Sequence, residues 1–273
     1  MTGPSPLAEV ARWPVGVAAV AVVGVEGVVD ATGPLDEVLP LASVTKVLSG
    51  MACWLAVEEG SLDLDESAGP PGSTVRHLLA HASGLAFDSD DVLAKPGRLR
   101  IYSNRGIERA AEHLVAGIGI PFADYLVDGI LAPLGASATT LDGSPAHEAR
   151  GTVADLARIA GELLAPDLLA TETVAAATAV TFPGLDGVVP GFGRQSPNDW
   201  GLGVEIRDHK SPHWMAPEGS PRTFGHFGRA GGFIWVDPDA GLACCCLTDT
   251  DFGPWAVEAW PRLSSAVLRW MAG

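Results

Sequence analysis

A serine and a lysine lie three residues apart in the segment Pro40–Leu48, where Ser43 precedes an apolar stretch and Lys46 lies inside it. Apolar residues then recur at steps of three and four, which predicts a helix ending near Gly60: Val47, Leu48, Met51, Leu55 and Ala56. Residues three apart are neighbours on a helix, so the two side chains can meet. A serine hydroxyl needs a base to become a nucleophile, and a desolvated lysine can serve. The pair therefore predicts acyl transfer, with helix N-terminal amides available to an anion forming at Ser43.

Chance is the alternative explanation, because about one Ser-x-x-Lys match is expected in a chain of this length. Only three lysines occur in this chain, however: Lys46, Lys95 and Lys210. Lys46 also lies in an otherwise apolar helix, where an ammonium group is costly to bury. This placement favours a functional lysine over a coincidence.

The composition narrows the class of protein. The chain has 273 residues, of which 47% are hydrophobic, and a formal net charge of -16. A chain of this kind can bury a large core, as one domain or as two lobes that share a cleft. Nucleic acids and anionic membranes require a basic surface, so we expect neither as a partner. The segment Met1–Pro14 lacks the pattern of a secretory signal, which predicts a cytoplasmic protein if the sequence is the full gene product.

The cysteines are candidate metal ligands by residue type. Cys244, Cys245 and Cys246 are consecutive in a strand-like run, and a fourth, Cys53, lies in the helix after Ser43. No Cys-x-x-Cys spacing supports a metal cluster, so reduced, buried cysteines are the preferred interpretation.

His77 and His81 are four apart in Ser73–Leu85, which is predicted as a short helix closed by Gly84. Leu78 occupies the place of the glutamate in a His-Glu-x-x-His zinc motif, which favours structural histidines.

The order of the predicted elements indicates a mixed α and β chain. Val15–Val23 and Val28–Val29 predict a hairpin, and the region from Pro121 to about Val180 predicts several short helices. Strands are predicted again at Trp200–Ile206, where alternating glycines leave room for another backbone or a ligand, and in three later runs. The first run, Phe224–Gly232, leads into the second, Phe233–Val236, and the third is Leu242–Leu247, followed by a helix from Trp255 to Met271.

Two further short motifs have residues suited to the same chemistry. Tyr102 and Asn104 form a Tyr-x-Asn motif ahead of a helix-like stretch, Ile107–Val115, and His226 and Gly228 form a His-x-Gly motif on a predicted strand. Taken alone, Tyr102 is equally explained as a core residue with its hydroxyl at the rim, and Asn104 as a helix cap.

In this order the three motifs resemble the penicillin-recognising serine hydrolases, the superfamily of class C β-lactamases, D,D-peptidases and related esterases, whose first motif is Ser-x-x-Lys. Similar stretches include Val75–Leu85 and Pro133–Gly135, and the resemblance runs from about Val15 to the last helix. It implies an α+β, β-lactamase-like fold in one catalytic domain, 1–273. An antiparallel sheet of about five strands would be flanked by helices. The α/β lobe would span approximately 12–65 and 182–273, and the mainly helical lobe 66–181.

The resemblance also implies roles for individual residues. Ser43 would be acylated by an ester or amide, with Lys46 and Tyr102 sharing the proton transfers. Substrate-side residues would be Asn104, which holds substrate or the lysine, His226, Gly228 and Arg229. The backbone amides of Ser43 and Arg229 would form the oxyanion hole, where losing one donor typically costs about 10²- to 10³-fold in rate. No metal or organic cofactor is required.

His226 stands where many relatives have a lysine, which weakens the case for a substrate carboxylate and so for β-lactams. The expected activity is therefore hydrolysis of a small-molecule ester or amide. The alternatives are a β-lactamase or D,D-peptidase, and a non-catalytic protein that keeps the cleft for binding.

The substrate and the oligomeric state stay open. Specificity is expected from the loops Phe87–Lys95 and Arg207–Pro221. Trp200, Trp214 and Phe227 are candidates for an apolar acyl pocket, with core packing as the alternative.

Overall fold

A computed structural model describes residues 4–272, so Met1–Gly3 and Gly273 lie outside it. The longer strands are β1 (Ala18–Gly24), β2 (Gly27–Thr32), β9 (Phe224–Gly228), β10 (Gly232–Asp237) and β11 (Leu242–Thr248). The short strands are β3 (Leu39–Pro40), β4 (Thr140–Leu141), β5 (Ala149–Gly151), β6 (Gly187–Val189), β7 (Gly193–Gln195) and β8 (Glu205–Ile206). The α-helices are α1 (Thr45–Glu58), α2 (Val75–Leu79), α3 (Asn104–Ile118), α4 (Phe122–Leu126), α5 (Val153–Leu164), α6 (Thr171–Ala177) and α7 (Pro254–Ala272).

Six strands form the main antiparallel sheet, in the order β2-β1-β11-β10-β9-β8. The fold class is confirmed, and the sixth strand is the short β8 at the edge. The predicted N-terminal hairpin and the three late strands all belong to this sheet. β3, β5 and β4 form a small second sheet, while β6 and β7 form a separate hairpin.

The sheet is buried on both faces, which explains why β1 and β11 are continuous apolar runs rather than alternating ones. One face packs on α1 and α5 and holds Cys245, whereas the other is covered by α7 and the 3₁₀ segment Pro6–Arg12 and holds Cys244 and Cys246. The four cysteines are buried free thiols. Helix α5 falls in the range 66–181, which the sequence assigned to the helical lobe, yet it packs on the sheet.

Two local predictions were wrong in detail. The helix predicted over Ser73–Leu85 ends at Leu79, because His81 takes a left-handed conformation with φ of 54°. Of the strand predicted at Trp200–Ile206, only β8 forms. Gly203 has φ of 85°, and a bond of 2.9 Å from the Gly201 amide to the Val204 carbonyl closes a turn there.

As the spacing of the glycines predicted, the backbone of another segment lies against that turn. A Cβ on Gly203 would lie 3.0 Å from the carbonyl oxygen of Lys46, so α1 passes directly against the turn. The cap of α3 is Ser103, whose side chain accepts a hydrogen bond from the Gly106 amide, so capping does not account for Asn104.

Between residues 4 and 272, no single helix has the length and apolar composition needed to cross a membrane. The helical stretches Asn104–Ile118 and Phe122–Leu131 meet those criteria only when taken together, and they are bent by 89° at their junction.

Candidate active site

Ser43 lies in a single 3₁₀ turn, Ala42–Val44, that leads directly into α1. Ala42 has φ of 43°, a left-handed conformation that is uncommon for a residue with a side chain and that indicates local strain. The Thr45 hydroxyl holds the turn by donating to the Ala42 carbonyl (2.6 Å) and accepting from the Ala149 amide (3.2 Å). The serine hydroxyl is therefore held half-buried at the start of a helix.

Lys46 is fully buried one turn later. Its Nζ lies 3.3 Å from Ser43 Oγ, 2.6 Å from Asn104 Oδ1 and 2.9 Å from the carbonyl oxygen of Ala146. Burial lowers the pKa of Lys46 to about 7, against the opposing attraction of Asp88 and Glu108. Near neutral pH the amine is thus divided between its neutral and charged forms, and the neutral form can take a proton from Ser43.

Asn104 connects the lysine to an exposed carboxylate. Its Oδ1 accepts from Lys46 Nζ, while its Nδ2 donates to Asp88 Oδ1 at 2.7 Å. The second bond fixes which end of the amide faces the lysine.

Tyr102 and His226 form a pair on the other side of Ser43. The Nδ1 of His226 lies 2.6 Å from the carbonyl oxygen of Phe227 and so carries the proton, which leaves Nε2 to accept from the Tyr102 hydroxyl at 3.5 Å. Burial lowers the pKa of His226 to about 3, and burial raises the pKa of Tyr102 above its ordinary value. Both groups are therefore neutral at pH 7, and Tyr102 retains a proton that it can donate.

Aromatic rings hold Tyr102 in place. Its ring lies 4.8 Å from that of His81, 5.7 Å from that of Trp200 and 5.8 Å from that of Phe87, measured between centroids. His81 is fully buried and accepts a hydrogen bond from the Ser103 amide through Nδ1.

His77 lies apart from this group, since it contacts Thr74 and stacks on Phe182. In the part of the chain that the structure describes, no three His, Cys, Asp or Glu residues are grouped to hold a metal ion.

Strand β9 runs close beside the Ser43 turn. A Cβ placed on Gly228 would lie 2.5 Å from the Leu41 carbonyl oxygen and 3.2 Å from the Ser43 amide nitrogen. No acceptor within residues 4–272 engages the backbone N–H of Ser43 or of Arg229, which follows the strand. The Arg229 side chain points to solvent, 3.7 Å from Asp251, with 89% of its surface exposed.

A pocket of about 220 Å³ opens at Ser43. Its walls are mainly aromatic or apolar, and Arg229 is the one basic side chain among its described lining residues: Ser43, Phe87, Tyr102, Pro190, Trp200, Glu205, His226, Phe227, Arg229 and Phe252. Trp200 and Phe227 therefore line the pocket as predicted, whereas Trp214 lies in the core and was wrongly included.

A buried polar cluster behind the pocket had no signal in the sequence. Glu205 accepts from Lys210 Nζ (2.9 Å), His213 Nε2 (3.0 Å) and Trp214 Nε1 (2.8 Å). Burial alone would raise the pKa of Glu205, but Lys210 and His213 outweigh it and hold that pKa well below its usual range. The cluster ties the Arg207–Pro221 loop to β8, and with it the turn that carries Trp200.

The residues singled out in the sequence thus meet at one place. Ser43, Tyr102 and His226, from a 3₁₀ turn, a connecting segment and a strand, line one pocket. Lys46 and Asn104, from two helices, reach Ser43 through the hydrogen bonds of Lys46 Nζ to Ser43 Oγ and to Asn104 Oδ1. Gly228 and Arg229 lie at the end of that strand, where their backbone faces the serine turn.

Comparisons with known proteins agree with this arrangement. A protein-family model described as Beta-lactamase matches residues 10–268. A sequence comparison with curated proteins gave no match. Among solved structures, a β-lactamase from Mycobacterium bovis is 54% identical, with a TM-score of 0.96 over 98% of this chain and 99% of that one.

More distant structures share the fold alone. EstA from Arthrobacter nitroguajacolicus Rue61a is 21% identical, with a TM-score of 0.79 over 98% of this chain and 96% of that one. The LovD6 mutant of simvastatin synthase from Aspergillus terreus is 17% identical, with a TM-score of 0.80 over 97% and 93%. With nearly the whole chain matched by the family model and by a close structural relative, the protein belongs to the beta-lactamase family.

Proposed function

We propose that this protein is a serine hydrolase that cleaves a small, uncharged ester or amide through an acyl-enzyme on Ser43. The observation that carries the proposal is the buried Lys46, whose Nζ lies 3.3 Å from Ser43 Oγ and whose pKa is lowered to about 7. A desolvated amine beside a serine hydroxyl is costly for stability, and its use as a base accounts for that cost.

In the proposed reaction Lys46 takes the Ser43 proton as Oγ attacks the carbonyl carbon. The oxyanion that forms is stabilised by the free backbone amides of Ser43 and Arg229. The bond to the leaving group breaks as Tyr102 donates its proton to the departing oxygen or nitrogen, and the proton held by Lys46 restores the tyrosine. Water then attacks the acyl-serine while Lys46 takes its proton, the bond to Ser43 Oγ breaks to release the acid, and the proton on Lys46 returns to Ser43 Oγ.

An uncharged substrate is favoured by the chemistry beside the nucleophile. His226 is neutral and its Nε2 is committed to Tyr102, so it offers no permanent cation to a substrate carboxylate. Arg229 is a cation at the rim, but it is exposed and has Asp251 nearby. A carboxylate there would gain little, because exposed ion pairs contribute about 0 to 1 kcal/mol.

A β-lactamase is the second candidate, favoured by the 54% identity to the β-lactamase of Mycobacterium bovis. The two activities share the acyl-enzyme and differ in the substrate that forms it.

Intact-protein mass spectrometry after brief exposure to activated butanoate esters and to a chromogenic cephalosporin tests both candidates. We expect the wild type to gain one acyl mass from the esters, and Ser43→Ala to gain none while keeping its circular-dichroism spectrum. Ser61→Ala, at an exposed serine outside the site, is the matched control and should be acylated like the wild type.

Faster acylation by the cephalosporin than by any ester would make the β-lactamase assignment the better one. If no compound labels the folded wild-type protein, the hydrolase proposal is wrong and a binding function takes its place.

A further inference from the structure

A second pocket of about 490 Å³ adjoins the one at Ser43. The two share Phe87, Tyr102 and Pro190 in their walls, so they lie side by side. We call the second pocket the outer groove; its remaining lining residues are Leu99, Arg100, Ile101, Asp186, Gly187, Val188 and Arg194.

The outer groove presents no unpaired charge among its described residues. Arg194 and Asp186 bind each other at 2.7 Å. The Arg100 guanidinium is directed away from solvent and donates to four backbone carbonyls, those of Ala80, Asn198, Thr181 and Phe182. An apolar body is therefore the chemistry that fits this surface.

Apolar side chains stay exposed along the groove although the protein buries most others. Phe87, Leu99 and Val188 have 49%, 45% and 58% of their surfaces exposed. They come from three separate segments, including the β6-β7 hairpin, and converge beside the nucleophile. Apolar surface gathered next to a reactive group is typical of a ligand-binding groove.

Tyr102 fixes the direction in which a substrate lies. If its hydroxyl donates the proton to the leaving group, that group departs on the Tyr102 side of Ser43, and the outer groove begins at Tyr102. From this geometry we infer that the outer groove is the leaving-group subsite and takes an apolar alcohol or amine several carbons long. The acyl group then lies in the smaller pocket between Trp200, Phe227 and Phe252. This inference rests on the proposed function.

Alkyl butanoates from ethyl to octyl test whether the outer groove binds the leaving group, because they share one acyl group and their alcohols have similar intrinsic reactivity. Each methylene buried in the groove should raise kcat/KM by about fourfold until the groove is filled, with at least about a tenfold rise across the series. Since all these esters give the same butanoyl-enzyme, kcat should level off at the common rate of deacylation. The measurement is initial rate by pH-stat.

Val188→Asp and Leu99→Asp place a charge in the groove without touching Ser43, Lys46 or Tyr102. In both variants the rise from ethyl to octyl should fall to within about twofold, while an unchanged circular-dichroism spectrum reports an intact fold. Val25→Asp, at an equally exposed valine in the β1-β2 turn, is the matched control and should keep the full rise.

The possible failures are distinguishable. If ethyl butanoate is cleaved with no dependence on alcohol length, or if the variants keep that dependence, the groove assignment is wrong and the proposed function stands. If the variants instead lose a preference along a series of ethyl esters with longer acyl groups, the groove binds the acyl side and the inference is overturned. Loss of ethyl butanoate cleavage in both variants also overturns it. If the wild type cleaves no ester and Ser43 is not acylated, the proposed function itself fails.

Discussion

Lys46 has only oxygen atoms as hydrogen-bond partners, and none of them is a carboxylate. The nearest negative charge acts through Asn104, whose amide joins the lysine to Asp88. This arrangement leaves the amine able to lose its proton near neutral pH. The negative charge of Asp88 opposes the effect of burial and raises the pKa of Lys46 in part. A direct ion pair would instead hold the lysine charged and useless as a base.

The pH dependence of ester cleavage follows from this environment. A lysine base is active when deprotonated, so kcat/KM should rise with pH through about 7 and then level off, as read from initial rates in constant ionic strength. Asp88→Asn keeps an oxygen for the Asn104 amide but removes the charge that raises the pKa of Lys46. The rising limb should therefore move to lower pH.

Asp128→Asn is the control, because Asp128 is an exposed carboxylate in the helical stretch Phe122–Leu131 and is not among the groups acting on Lys46. This variant should leave the limb in place. A limb that stays fixed in Asp88→Asn, or that moves to higher pH, would show that Lys46 is not the group that titrates.

At the scale of elements, the site depends on how closely β9 approaches the Ser43 turn. Gly228→Ala introduces a Cβ only 2.5 Å from the Leu41 carbonyl, a contact that backbone must move to relieve. Because the Arg229 amide follows directly, we expect the oxyanion donors to separate and the acylation rate to fall by about 10²- to 10³-fold. Stopped-flow acylation with an activated ester measures this loss.

Gly161→Ala is a matched control within α5, since its new Cβ would have only Val23 nearby, at 4.0 Å. Acylation should be unchanged, and the free energy of unfolding should rise by about 0.5 to 1 kcal/mol because alanine favours a helix. A Gly228→Ala protein that is acylated at the wild-type rate would contradict the assignment of the oxyanion hole.

The elements also show what a sequence can predict. The β10 and β11 strands and the Ser43 helix follow from local apolar patterns and turn residues, and their predicted ends lie close to the observed ones. Strand β9 was predicted only as part of the longer run Phe224–Gly232. The convergence of Ser43, Tyr102 and His226 did not follow from any local pattern and was expected only from the family resemblance.

Contacts and pairings that local sequence patterns do not show were missed. Glu205 looked like an ordinary strand residue, yet three donors from the following loop surround it. The β6-β7 hairpin was not predicted, because its strands are three residues each and glycine-rich, although it forms a wall of the outer groove. Burial and pairing of this kind depend on tertiary structure, which short windows of sequence do not record.

At the scale of the whole molecule, the net charge and the site chemistry favour the same substrates. The formal net charge is -16, and the pocket beside Ser43 has only the exposed Arg229 as a basic group. A charged substrate must approach through the field of the entire protein, whereas a neutral ester does not respond to it. The net charge therefore repels an anionic substrate as it approaches, and the exposed Arg229 offers it only weak attraction at the site.

Salt should reveal this repulsion. The distance over which charges act falls from about 30 Å at 0.01 M salt to about 8 Å at 0.15 M. For 4-carboxyphenyl butanoate, kcat/KM should increase by at least about threefold over that range, because screening weakens the repulsion. Its methyl ester, which has the same acyl group and no charge, is the matched control and should change by less than about 1.5-fold.

If the anionic ester slows with added salt, a local cation outweighs the net charge. In that case Arg229→Gln should reverse the trend, and the preference for neutral substrates would be wrong.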